Sequence, residues 1–140
     1  MVRSSATNRS CYVFDSSSLI DIEHSRYLRR LRPPGNFLVV PSRVAKEVNR
    51  RGSPLATWLN RGKVADFVVD SEGQLFLMLR RRERLLSDAD IQGVVIAHHR
   101  EGTYVVNEKA ASRVAQSLGV ECLNAEEFLR EFFPRQLSFL

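Results

Sequence analysis

The feature that most constrains this chain is an alternation. Short apolar runs at 11–14, 37–40, 64–69, 103–106 and 120–123 are separated by longer segments whose apolar residues recur at helical spacing. The runs are almost continuously apolar rather than alternating, as strands buried on both faces are. Strands of that kind joined through helices predict an α/β fold, a three-layer α/β/α sandwich around a parallel sheet. Right-handed crossovers then bring every strand's carboxyl end to one edge, where open α/β sheets bind ligands. With 140 residues the chain accommodates one domain, expected over 11–140 behind a mobile polar tail over 1–10.

The punctuation between strands supports this division. Helices are expected over 16–23, 25–31, 42–51, 54–60, 73–85, 87–99, 109–118 and 125–132. Pro33, Pro34 and Gly35 stop the second, Gly52 the third and Gly119 the seventh, while Ser42 and Ser53 stand at N-cap positions. No run is long enough to cross a bilayer and the N-terminus has no apolar signal core, so a cytoplasmic protein is expected. Cys11 and Cys122 lie in apolar runs without metal-ligand spacing and read as reduced, buried thiols. His24, His98 and His99 have no ligand or nucleophile partner at motif spacing and read as surface or interface residues.

Acidic residues recur where strands pass into helices. Asp15 follows the first strand, Glu108 with Asn107 follows the fourth, Asp90 opens the helix over 87–99, and Glu47 lies beside the Val44/Val48 stripe of the helix after the second strand. Each has an ordinary structural reading. Asp15 and Glu108 or Asn107 are candidate N-caps. Ser87 and Asp90 approximate a capping box. Asp88 compensates the helix dipole or is an auxiliary ligand. Glu47 could pair with Arg43, Arg50 or Arg51, a bond worth roughly 0.3–0.5 kcal/mol. Together, however, these positions aim carboxylates at one edge, and crowded carboxylates call for a hard divalent cation. Mg²⁺ or Mn²⁺ in such a site activates water and stabilises the leaving oxygen of a phosphodiester. Gly93 and Ala97, three and seven residues after Asp90, would let their helix approach the sheet closely.

Charge adds a partner class. Residues 1–63 hold 12 basic and 4 acidic side chains, residues 64–140 hold 9 and 12, and 18 of the 21 basic residues are Arg. An Arg-rich half suits phosphate, which the guanidinium fork binds through paired hydrogen bonds. Arg29, Arg30, Arg32, Arg43, Arg50 and Arg51 are the candidate RNA-binding residues. The run RRRER at 80–84 is either a further contributor or a solvated helix end.

Four segments in order, YVFDSSSLI, VPSRVAKEV, LSDADIQGVVIAH and YVVNEKAASRVAQSLGV, resemble the PIN-domain nucleases, including VapC-type toxins. The resemblance covers 12–123. It implies a five-stranded parallel sheet of order 3-2-1-4-5 and an endoribonuclease dependent on one or two Mg²⁺ or Mn²⁺ ions. The family's acidic positions fall on Asp15, Glu47, Asp90 and Glu108, all expected to hold metal, with Ser17 an orienting residue. At the fourth position the usual Asp or Asn is Glu108 and the preceding Thr is Val106, which leaves Asn107 as an alternative ligand. The stretch RRGSPLATWLNRG is closer to standalone members than to the toxins. The implied partners are RNA and, for a toxin, a small antitoxin. The other reading is a catalytically impaired RNA-binding or protein-interaction module. The apolar residues Phe132, Phe133, Leu137, Phe139 and Leu140 would then dock a partner, or else pack on their own domain or in a homodimer.

Overall fold

The computed structural model describes residues 11–25, 38–49, 63–65 and 71–132. The expected tail over 1–10, helix over 54–60, most of the helix over 25–31, positions 66–69 of the third strand and the apolar C-terminus from 133 lie outside them. Along the described chain run β1 (Tyr12–Phe14), α1 (Ser16–His24), β2 (Leu38–Pro41), α2 (Ser42–Asn49), β3 (Lys63–Ala65), α3 (Ser71–Arg82), α4 (Asp88–His99), β4 (Thr103–Val105), α5 (Lys109–Ser117), β5 (Glu121–Leu123) and α6 (Ala125–Phe132). All strand pairings are parallel, in the order β3-β2-β1-β4-β5. Tyr12 stands opposite Leu38 on one side and Thr103 on the other, so β1 is central.

The strand pleat divides the core. Tyr12, Phe14, Leu38 and Val40 face α1, α2 and α6, whereas Val13, Val39 and Tyr104 face α4 and α5. Phe128 of α6 meets both Tyr12 and Phe14 edge-on, with ring centroids 5.1 Å apart in each case. α4 is buried from Ile91 to Ala97, as a helix pressed against a sheet must be. Its approach depends on Gly93: a Cβ there would lie 2.8 Å from Tyr104 Oη and 2.9 Å from the ring. Tyr104 is fully buried and cannot swing aside. At the end of α5, Gly119 takes φ +81, and Val120 N–H and Gly119 N–H return to the carbonyls of Ala115 and Gln116.

Two expectations are corrected in detail. α3 begins at Ser71 and ends at Arg82, two to three residues earlier than the apolar pattern places it, and RRRER is only partly a free basic surface. Arg80 binds Asp88 Oδ1 at 2.7 Å and Arg82 binds Glu83 at 2.9 Å. Ser42 opens α2, but the N–H of Arg43 donates to Gln92 Oε1 at 3.0 Å, while Gln92 Nε2 donates to Ser42 Oγ at 3.0 Å. A buried side chain from α4 therefore caps α2. Among the described residues no helix is long and apolar enough to cross a membrane.

Candidate functional site

The sheet order reverses between β1 and β4, and the crevice at such a reversal is where the carboxyl ends of two strands diverge from their crossovers. Asp15 stands immediately beyond β1. Its backbone N–H donates to Val105 O at 3.0 Å, extending the β1–β4 ladder by one step and fixing the Cα. Its Oδ1 accepts from Ser18 N–H at 2.8 Å and its Oδ2 from Ser17 Oγ at 3.0 Å, so the residue does cap α1. Ser18 Oγ lies 2.9 Å from Asp15 O and 2.8 Å from Val105 O, which ties the start of α1 to the end of β4. Asp15 is only 3% exposed. Burial raises its pKa, and the bonds from Ser18, Ser17 and the Asn107 backbone only partly oppose that rise.

Asp90 comes from the first turn of α4. Its N–H donates to Ser87 Oγ at 3.1 Å, and Ser87 in turn hydrogen-bonds the Asp90 carboxylate, so the capping box is real. Burial pushes the Asp90 pKa up, and the negative charges of Asp15 and Glu108 push it further. Glu108 caps α5: Oε1 accepts from Ala110 N–H at 3.1 Å and Oε2 from Ala111 N–H at 2.8 Å. Its side chain is exposed at the rim. The same three carboxylates act on the buried Tyr104 phenol, whose hydroxyl lies 3.5 Å from Asp90 O. Burial first, then these charges, raise the Tyr104 pKa well above the ordinary range. Two strand-to-helix junctions and the start of α4 thus bring the charges of Asp15 and Glu108 to bear on Asp90, and all three on Tyr104. Each remains an ordinary helix cap at the same time.

Other expected site residues are placed differently. Glu47 is exposed on α2 and is not among the charges acting on Asp90 or Tyr104. Asp88 is turned outward to Arg80 at 2.7 Å and Arg43 at 3.9 Å, because both guanidinium groups flank the α3–α4 turn; it serves an ion pair rather than the carboxylate cluster. Asn107 does not offer its side chain to the cluster either. Its Nδ2 donates to Asp21 Oδ2 at 2.6 Å and its Oδ1 accepts from Ala125 N–H at 3.1 Å, so it joins α1 to α6. Ser17 does bond Asp15. Arg43 sits 5.6 Å from the centroid of the Phe76 ring. Arg29, Arg30, Arg32, Arg50 and Arg51 lie outside the described residues.

The donors are hard carboxylate oxygens, and the charges of Asp15 and Glu108 raise the cost of ionising Asp90, which fits a divalent cation by type. Among the described residues, no three His, Cys, Asp or Glu side chains are grouped tightly enough to hold one ion together. Sequence reasoning overlooked Ser18 and Gln92. Ser18 sits at the third helical position after an Asp N-cap, where the accepted N–H belongs. Gln92 is a polar residue within an otherwise apolar helix face, which is itself a signal.

Known structures share the fold. A PilT N-terminus domain protein from the hyperthermophilic archaeon Sulfolobus solfataricus superposes with TM-score 0.59 and 17% identity over 88% of this chain and 93% of that one. VapBC2 from Rickettsia felis, bound to a DNA fragment from its promoter, matches with TM-score 0.58 and 18% identity over 81% and 98%. FitAB bound to an IR36 DNA fragment matches with TM-score 0.51 and 10% identity over 81% and 94%. No curated protein sequence matches the chain. A family model described as PIN domain (DUF3368) matches residues 11–124, which includes all three clustered carboxylates, and the chain therefore belongs to the PIN-domain family.

Proposed function

We propose that this chain is a metal-dependent endoribonuclease, hydrolysing RNA phosphodiester bonds with Mg²⁺ or Mn²⁺. PIN domains are generally nucleases and typically use divalent metal ions. The observation that carries the reading is the convergence of Asp15, Asp90 and Glu108, in which burial and like charge both oppose ionisation of Asp90. Such a cluster is a poor phosphate site by itself and becomes a good one when a cation joins it. The absence of a tight ligand triad is compatible with Mg²⁺, which usually keeps several waters and takes only one or two protein carboxylates. A bound ion would supply charge to offset the phosphodiester and make water a competent nucleophile at neutral pH.

The chain's own residues hold the geometry. Ser17 and Ser18 fix the two oxygens of Asp15, the Ala110 and Ala111 N–H groups fix those of Glu108, and each oxygen keeps a further lone pair for a ligand. Asp15, Asp90 and Glu108 are the proposed metal carboxylates, with Glu47 an outlying fourth. Water adds to phosphorus, one P–O bond breaks, and the products are a phosphomonoester and a hydroxyl, with no covalent enzyme intermediate. The similarity to VapBC2 and FitAB supports a toxin role with a small protein antitoxin as partner.

The test is incubation of purified protein with single-stranded and structured RNA. Cleavage is expected with Mn²⁺ or Mg²⁺, none with excess chelator, and none with Asp15→Asn. One observation favours a second reading, an impaired PIN module: Glu108 stands where the family resemblance leads one to expect the shorter Asp or Asn. Glu108→Asp restoring cleavage to an inactive wild type would establish it.

A further inference from the structure

Beside the carboxylate cluster, at the carboxyl ends of β4 and β5, lies a groove of about 410 Å³ between α5 and the β5–α6 turn. Its wall begins at Val106 and Asn107, the two residues before Glu108, and continues as Lys109, Ser112, Arg113 and Gln116 of α5. These α5 positions are spaced three or four apart, so one helix face lines the groove. Lys109 and Arg113 stand one turn apart, a rise of about 6 Å along the helix. Neither has a carboxylate partner among the described residues, whereas Arg80, Arg82 and Arg130 all do. The acidic wall residue, Glu127, is already engaged: its Oε1 accepts from Asn124 N–H at 2.9 Å, and Asn124 Oδ1 accepts from Glu127 N–H at 2.8 Å. The floor is Val106, Leu123 and the half-buried Cys122.

A groove with two uncommitted cations on its wall, amide and hydroxyl groups between them, and an apolar floor matches a nucleotide in each part. The cations meet phosphates, the floor meets a base or the apolar face of a ribose, and Ser112 and Gln116 offer hydrogen bonds to sugar or base edges. The volume falls within the range of small-ligand sites and has no room for a duplex. We infer that this groove holds the single-stranded RNA nucleotide flanking the scissile phosphate, with Lys109 and Arg113 on its phosphates. The inference rests on the nuclease reading above and extends it by assigning a substrate subsite on the side of α5.

Two readouts test it without relying on turnover. Cys122 is the half-exposed thiol and Cys11 the buried one, so alkylation by iodoacetamide under mildly alkaline conditions reports on the groove floor. A single-stranded oligoribonucleotide, added with excess chelator to prevent cleavage, is expected to slow Cys122 alkylation. That protection should disappear in Lys109→Gln/Arg113→Gln. In parallel, fluorescence anisotropy of the labelled oligoribonucleotide should show a salt slope reduced by about 1.4 in the double variant, from two lost phosphate contacts on a single strand. Lys46→Glu on α2 lowers the net charge by the same two units and should leave Cys122 protection intact. RNA that binds without protecting Cys122, or a double variant with wild-type slope and protection, overturns the groove while leaving the nuclease reading standing. A protein that neither binds nor cleaves RNA overturns both.

Discussion

Two helices of this molecule begin in nearly the same way and do different work. α4 opens with Ser87 and Asp90, α6 with Asn124 and Glu127, and in both a side chain three residues in returns to the cap residue. The α6 box stands exposed, and Asn107 completes the satisfaction of its first turn through Ala125 N–H. In the α4 box Ser87 is exposed too, but Asp90 is half-buried and its carboxylate meets the charges of Asp15 and Glu108. The capping motif is thus the same and only its neighbours differ. A cap satisfies backbone donors wherever it occurs, and it becomes a candidate site when burial and like charge make its ionisation costly.

The sharpest way to break this comparison is to neutralise one box at a time. Asp90→Asn should lower RNA cleavage by on the order of 10²–10³-fold, the scale seen when one charge-stabilising group is removed. It should also abolish the rise in Tm that Mn²⁺ gives the wild type, which reflects a stabilisation of about 2.7 kcal/mol when the ion is about 100-fold above its Kd. The pH dependence of stability follows from the raised pKa values of Asp15 and Asp90. Below the unfolded value of 3.8 both states are protonated and these groups cost nothing. As pH rises past 3.8 the unfolded chain ionises first, so stability falls until the folded groups also ionise. Without metal, wild-type stability should therefore decline on going from pH 3.8 upward by more than that of Asp90→Asn, measured by urea unfolding at a series of pH values.

Gly93→Ala tests whether close approach of α4 to the sheet holds the α4 box in place. Its new methyl would meet the buried Tyr104 ring, and overpacking of this kind costs about 1–3 kcal/mol. The expected result is a lower urea midpoint together with reduced cleavage. Glu47→Gln, on an exposed position outside the carboxylate cluster, should lower cleavage by about tenfold, the low end for supporting residues of metal sites. An effect equal to that of Asp90→Asn would place Glu47 inside the cluster. The smallest effect belongs to α6: Glu127→Ala should cost about 0.5–1 kcal/mol of stability and leave the Mn²⁺-induced rise in Tm at its wild-type size.

Much of this was legible in the residues. Continuous apolar runs such as YVF and LVVP mark strands covered on both faces, and they are buried throughout. Asp15, Asp90 and Glu108 were identifiable because each sits at a junction the alternating pattern locates. Glu47 was harder, because helical phase alone places it at the edge of a buried stripe and says nothing about which way the α2 axis points toward the crevice. Asn107 and Asp88, each with a structural and a ligand reading, could not be decided from sequence for a similar reason. Their partners, Asp21 and Ala125 for one and Arg80 and Arg43 for the other, are in part distant in sequence and brought near only by packing. The Gln92 cap on α2 spans about fifty positions and is invisible to any local rule.

A metal-dependent phosphodiesterase site built from Asp15, Asp90 and Glu108, as proposed above, must cleave RNA only when all three carboxylates and the ion are present. The most direct measurement is the rate of single-stranded RNA cleavage by purified wild type and Asp15→Asn, each with Mn²⁺ and with excess chelator. Cleavage is expected from the wild type with Mn²⁺ alone and from neither protein otherwise; intact RNA in all four reactions, or equal cleavage by Asp15→Asn, would rule this site out.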